Sequence, residues 1–218
     1  MKDSTKSLIT LGINSQNKNG DTPLMLSVYE SDLEAVKQLL EQGADVQIEN
    51  NGGETVLFGA ANQDDIKILR TIIDTGIDLN HQEKYYKQTA LFTPAEVGHT
   101  AALRLLLKAG ADPNIKDKGG FTPLQWAAQE KQFSAMKILI SFGADVNNIS
   151  KKGITPLMSA SIAGFYKGVE LLLSAGADVN MQDKKGNTAI TFSEENKYPK
   201  IVKVLQEVAN KRLSDENN

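Results

Sequence analysis

An all-α solenoid of stacked helix-turn-helix units, with β-turn or hairpin tips, is the fold class this sequence predicts. Two motifs carry the prediction. A turn and helix start appears as Thr22-Pro23-Leu24, Thr55-Val56-Leu57, Thr89-Ala90-Leu91, Thr122-Pro123-Leu124, Thr155-Pro156-Leu157 and Thr188-Ala189-Ile190, at steps of 33, 34, 33, 33 and 33. A glycine stop appears as Gly43-Ala44-Asp45, Gly76-Ile77-Asp78, Gly110-Ala111-Asp112, Gly143-Ala144-Asp145 and Gly176-Ala177-Asp178, at steps of 33, 34, 33 and 33. The motifs share one period and one insertion, and a fixed period of this length is the signature of a repeat array.

Each copy reads the same way from its start. Thr before Pro is an N-cap with proline at the first helical position, where its missing N–H costs nothing. Small residues such as Ala60-Ala61, Ala127-Ala128 and Ala160 let this first helix lie close to its neighbours. A second helix follows with apolar residues at helical spacing, such as Val36, Leu39 and Leu40 or Val169, Leu172 and Leu173. Glycine then ends that helix in a left-handed conformation, and the Asp after it can accept from its own turn backbone. Neither helix alone buries its apolar face, so the copies must stack.

The ends follow from the same pattern. Residues 4–17, including Ser7-Leu8-Ile9-Thr10-Leu11-Gly12-Ile13-Asn14, read as a half-repeat cap, and six repeats lie near 17–49, 50–83, 84–116, 117–149, 150–182 and 183–213. Together they form one domain over 1–213. Pro199 opens a last helix with no glycine stop near Ala209, so it is expected to run long and close the stack, leaving 214–218 as a disordered tail.

These signatures, T-P-L, A-A, L-L and G-A-D-V-N, resemble ankyrin repeats over roughly residues 12–209, in the size and Lys/Asn-rich style of stand-alone bacterial members. One departure is general. The family usually has His after T-P-L, where this chain has Met25, Phe58, Phe92, Gln125, Met158 and Thr191. The hydrogen bond that His gives the turn is therefore expected to be missing, with apolar packing in its place at four of these six positions.

Repeat three breaks the pattern. Its turn carries the extra residue as Lys84-Tyr85-Tyr86-Lys87-Gln88, and Lys87 stands where the other copies have Gly20, Gly53, Gly120, Gly153 and Gly186. The turn must be rebuilt or bulged. Pro94 interrupts its first helix, while Thr93-Pro94-Ala95-Glu96 makes a capping box, so this helix is expected to restart at Thr93 or Pro94 and to be shorter than its neighbours.

Composition sets limits on function. The chain has 218 residues, 40% hydrophobic and 23% charged, with net charge −3. That balance is unlike a disordered segment or a nucleic-acid-binding domain. Charge is uneven: residues 1–76 hold 6 Lys+Arg against 12 Asp+Glu, and 77–218 hold 18 against 15. No apolar run approaches a membrane span, and Met1–Thr10 does not read as a signal peptide. The cytoplasm is the default compartment, with periplasm or secretion the alternative if a signal has been removed. Zero cysteines exclude disulfides and thiolate metal sites. The two histidines, His99 in a Gly-His loop and His81 expected at the surface, are no basis for a zinc site. No phosphate-loop, serine-hydrolase or zinc-protease motif is present. A formal glycosylation sequon stands at Asn148-Ile149-Ser150. The expectation is a non-enzyme with no cofactor, no metal and no catalytic residue.

The resemblance implies a concave surface of turn tips and first helices that binds another, folded protein. Carried onto this sequence, the partner-facing residues are Tyr29, Glu30, Tyr85, Tyr86, Gln88, Glu96, Lys118, Phe121, Trp126, Gln129, Lys151, Lys152, Ile154, Lys184 and Lys185. Tyr85 and Tyr86 are the residue type that hot spots favour, with one ring expected to fold back into the space the insertion opens. Tyr29, Phe121 and Trp126 suggest an aromatic stripe. The lysines form a row along later tips, opposed to Glu30, Asp32, Asp64 and Asp65, and suited to steering an acidic partner. No nucleic acid or membrane partner is expected, and the chain alone is expected to be a monomer. Two sharper versions stay open: an inhibitor or self-protection protein covering a partner's active site, and an effector or scaffold adaptor. A small-ligand or enzyme-associated domain is the rival from another class, and it needs a closed pocket.

Overall fold

The computed structural model describes residue 5, residues 9–63 and residues 66–216. Ser7 and Leu8 of the half-repeat, Asp64 and Asp65 of the acidic group, and Asn217 and Asn218 of the tail lie outside the described residues.

Twelve helices and no strand occur among the described residues. The first helices of the repeats are α1 (Pro23–Tyr29), α3 (Val56–Ala61), α5 (Phe92–Val97), α7 (Pro123–Gln129), α9 (Pro156–Ile162) and α11 (Ala189–Glu195). The second helices are α2 (Leu33–Glu41), α4 (Ile66–Ile73), α6 (Thr100–Lys108), α8 (Phe133–Ser141), α10 (Tyr166–Ser174) and α12 (Pro199–Glu216). The last has 18 residues against 8 or 9 in the other second helices. It continues through Ser214–Glu216, which the sequence reading left to a disordered tail.

The chain gathers into two compact units. Unit one comprises residues 1–94 and 99–118; unit two comprises 95–98 and 119–218. Within unit one, α1 packs on α2 and α3, and α4 packs on α2, α3 and α6. Its core includes Leu24, Val28, Val36, Leu39, Leu57, Leu69, Ile72, Leu103 and Leu106, all fully buried. Within unit two, α9 packs on α7, α10 and α11, and α10 on α8 and α12, around Leu124, Met136, Leu139, Leu157, Val169, Leu172 and Leu205. Ala60, Ala61, Ala127, Ala128 and Ala160 are buried in these contacts, as their size predicts.

The caps form as written in Thr22, whose hydroxyl accepts from the Met25 N–H, and in Thr155, which accepts from Met158. The Asp after each glycine stop also behaves as expected. Asp45, Asp78, Asp112, Asp145 and Asp178 each accept from the backbone N–H two residues on.

The first helix of repeat three differs from expectation. It begins at Phe92, with the Phe92 N–H bonded to the Thr89 carbonyl, and not at Thr93 or Pro94. Its six residues equal those of α3, so it is not the shorter of the two. Pro94 falls in the first turn, whose N–H groups have no intrahelical acceptor anyway, so nothing forces a restart.

Candidate protein-binding surface

The tips are held by a side chain that the sequence reading passed over. Asn17, Asn50, Ser150 and Asp183 each stand three residues before the tip glycine, and each accepts from the N–H groups two and four residues on. The glycines themselves are forced. Gly20, Gly53, Gly120 and Gly153 have φ of +78° to +84°, and a Cβ on any of them would come within 3.0 Å of the next repeat's backbone. That crowding comes from a ladder in which each tip donates to the preceding one. Asn51 donates to Asn19, Lys84 to Gly52 and Lys118 to Tyr86 in unit one, and Lys151 donates to Gly119 and Lys184 to Lys152 in unit two.

Repeat three keeps this plan by one substitution. Glu83 replaces the shorter Asn, Ser or Asp, and its extra methylene spans the extra residue. One carboxylate oxygen accepts from Tyr85 N (2.7 Å), the other from Tyr86 N (2.7 Å) and Gln88 N (3.0 Å). Lys87 takes the glycine's left-handed conformation at φ +58°, which an L-residue adopts at some cost. The carboxylate of Glu83, itself buried, fills the interior of the turn. Neither tyrosine therefore folds back: Tyr85 is 56% and Tyr86 68% exposed. The expected inward ring is corrected to two outward ones. Tyr85 carries the Lys84 ammonium over its ring, 5.6 Å from the centroid.

Elsewhere in unit one, Tyr29 ends α1 at 46% exposure, and its ring lies against Gly59, where a Cβ would meet it at 2.7 Å. Its hydroxyl donates to Asp21 (3.5 Å). Burial, and then the Asp21 and Glu54 charges, push this phenol up to about 12. The folded chain thus holds the proton in a window, from pH 10 to 12, where the unfolded chain has released it. Stability is therefore present below pH 10 and falls as pH rises through that window. Tyr29→Phe is expected to flatten this part of the decline, read from urea midpoints at pH 9 and pH 11. Equal declines in both proteins would refute the assignment. Glu30, half-buried at the end of α1, accepts from the Thr5 hydroxyl at 3.1 Å.

Tyr85, Tyr86 and Gln88 share one cavity of about 210 Å³ with Glu54 and Thr89. Thr89 is 2% exposed, and its hydroxyl makes no hydrogen bond. His81 is nearby and is not at the surface as expected. Its Nε2 donates to the Gly53 carbonyl at 2.7 Å, with Glu49 at 3.6 Å and the Phe58 ring edge-on at 6.2 Å. It ties down the tip of repeat two, so its role is structural. Among the described residues, no group of three or more metal-ligating side chains converges.

Unit two carries the other predicted residues. Phe121 and Trp126, both half-buried, pack with ring centroids 6.3 Å apart at 58°. Ile154 and Glu96 are half-buried, and Gln129, Lys151, Lys152, Lys184 and Lys185 are exposed; Lys118, also exposed, belongs to unit one. Tyr29, the third aromatic of the expected stripe, stands in unit one.

The missing turn hydrogen bond is present after all in three copies, through Gln125, Thr191 and the Met158 sulfur, which accepts from Thr155 N at 3.5 Å. Gln125, fully buried, accepts from Thr122 N (3.1 Å) and Asn148 Nδ2 (2.6 Å) and donates to the Ile154 carbonyl (2.7 Å). Thr191 accepts from Thr188 N at 3.2 Å. The sequon residue Asn148 is 4% exposed and engaged with Gln125 and Gly120, so its amide is closed to modification in the folded chain.

The family described as ankyrin repeats (3 copies) matches residues 1–83, 60–150, 92–183 and 142–216. The chain belongs to the ankyrin-repeat family. Ankyrin repeats are generally protein-protein interaction modules, a fold known for non-enzymatic binding. The chain is similar to an ankyrin repeat domain of known structure from Acinetobacter baumannii AYE, at 28% identity, with 86% of this chain and 97% of that chain covered and a TM-score of 0.80. No curated protein matches the chain. Among the described residues, no helix is long and apolar enough to cross a membrane.

Proposed function

We propose that this ankyrin-repeat chain binds a folded protein, with the tip of repeat three as the principal contact. The observation that carries this reading is the pair Tyr85 and Tyr86, both exposed on a turn that Glu83 makes rigid. Exposed tyrosines held in place lose little side-chain entropy on binding, and such residues dominate interface energies. The exposed lysines at Lys118, Lys151, Lys152, Lys184 and Lys185 add positive charge at other tips, which speeds encounter with an acidic face more than it tightens the complex.

Affinity purification from cells that make the protein, followed by mass spectrometry, tests the reading. A partner recovered with wild type is expected to bind the Tyr85→Ala/Tyr86→Ala variant at least about thirtyfold more weakly, the cost of losing a hot spot. A Lys137→Ala control on α8 is expected to behave as wild type. Equal recovery by the double variant would refute the assignment.

A further inference from the structure

We infer that the cavity beside Tyr85 and Tyr86 receives an arginine side chain of the protein partner; this rests on the protein-binding reading above and specifies its chemistry. Three observations converge on this. First, the cavity is lined by two carboxylates, Glu54 and Glu83, and by no basic residue. Glu83 is spent on the turn's three N–H groups, while Glu54 is half-buried and accepts from Asn50 Nδ2 at 3.0 Å through one oxygen. Second, the Tyr86 and Phe58 rings complete the wall beside Tyr85, whose ring already carries Lys84, and aromatic faces attract a cation that carboxylates already favour. Third, the buried Thr89 hydroxyl on this wall has no partner within the chain, which marks a polar group still to be satisfied.

Size and shape narrow the occupant. About 210 Å³ is below the roughly 300–1,000 Å³ of small-molecule sites, and it suits one long side chain. Guanidinium is flat, stacks on aromatic rings and offers five donors, against the three of a compact ammonium. Glu54 and Thr89 offer acceptors inside the cavity, and Asn62 and Gln88 add side-chain carbonyls.

The probe is capped arginine, Nα-acetyl-arginine methylamide, titrated into the full chain and followed by amide nitrogen–proton correlation spectra. Saturable shifts are expected at Glu54, Asn62, Tyr86 and Gln88. The neutral isostere, capped citrulline, and capped lysine are each expected to bind about tenfold more weakly. Glu54→Gln is expected to weaken arginine to the citrulline level while the rest of the spectrum stays in place. Absence of saturable shifts, equal binding of citrulline or lysine, or shifts that map elsewhere would overturn the inference. Since the probe is a single amino acid, it can fail while the tyrosine variant still loses its partner, and the reverse.

Discussion

Glu83→Ala is expected to destabilise unit one by about 3 kcal/mol, because three backbone donors of the turn lose a buried, charged acceptor worth about 1 kcal/mol or more to each. In a chain of this size that lowers the melting midpoint by about 6–12 °C. A sharper test exploits the single insertion. Glu83→Asp alone shortens the side chain by one methylene, so the Gln88 N–H, five residues on, moves out of reach and part of the loss should appear. Deleting Tyr85 and adding Lys87→Gly to that variant restores the spacing of Asp183, whose acceptor reaches Asn187 four residues on. The triple change is expected to regain wild-type stability or exceed it, since it also removes the strain of Lys87 at φ +58°. It should nevertheless lose the partner, because one tyrosine and the widened tip are gone. Thermal melts with amide exchange at residues 85–88 read the first part, and partner binding reads the second. A Glu83→Ala midpoint within 1 °C of wild type would sink the turn assignment.

That coupling also shows what could be read in the chain and what could not. The helices, their caps and their glycine stops were legible because each is a local device with its own residue code, repeated at a fixed step. Repeat three stood out for the same reason, as the copy with an extra residue. The fate of its tyrosines was not legible, because it depends on Glu83, four positions from the missing glycine, and on an acceptor reaching forward to three N–H groups. A signal was available. Asn17, Asn50, Ser150 and Asp183 recur as short acceptors before the tip, and Glu83 is the one long member of that column. The length of a side chain there reports the length of the turn it must close.

His81 and Gln125 make the complementary point. Both secure tips through contacts far along the chain, His81 to Gly53 within repeat two and Gln125 to Ile154 of the next repeat, which a reading of single turns does not seek. Phe58 occupies the residue after T-V-L in repeat two and makes no such bond, while the tip is held separately at the Gly53 carbonyl by an imidazole 23 residues further on. Position in the repeat predicts that a tip must be held, but packing between segments distant in the chain decides which residue holds it. The same reasoning places the arginine cavity. Its walls come from two successive tips and the first helices behind them, so no single motif contains it.

Gln125→Leu is expected to be costly in unit two although it creates no large cavity. The side chain is fully buried, so a leucine of similar volume fits without a large cavity, and its apolar surface partly offsets the loss. What it cannot replace are three polar partners. The Ile154 carbonyl, the Thr122 N–H and the Asn148 amide all lose their contact to Gln125; Ile154 keeps the Ser150 N–H at 2.9 Å and Asn148 the Gly120 carbonyl at 3.3 Å, while the buried Thr122 N–H loses its acceptor. One buried N–H left without a partner costs about 1–3 kcal/mol and each further lost bond about 0.5–1.5 kcal/mol, so a net loss of about 2–4 kcal/mol is expected. Gln125→His separates shape from bonding. An imidazole can donate to Ile154 through one nitrogen and accept from Thr122 or Asn148 through the other, so its cost should stay below about 1 kcal/mol. Asn148→Ala completes a double-mutant cycle: if Gln125 and Asn148 act through their 2.6 Å bond, the two losses should fall short of additivity by about 1 kcal/mol. Chemical denaturation of wild type, Gln125→Leu, Gln125→His, Asn148→Ala and the Gln125→Leu/Asn148→Ala double variant measures this. Strict additivity, or equal costs for leucine and histidine, would mean that volume and not hydrogen bonding holds the fourth and fifth tips together.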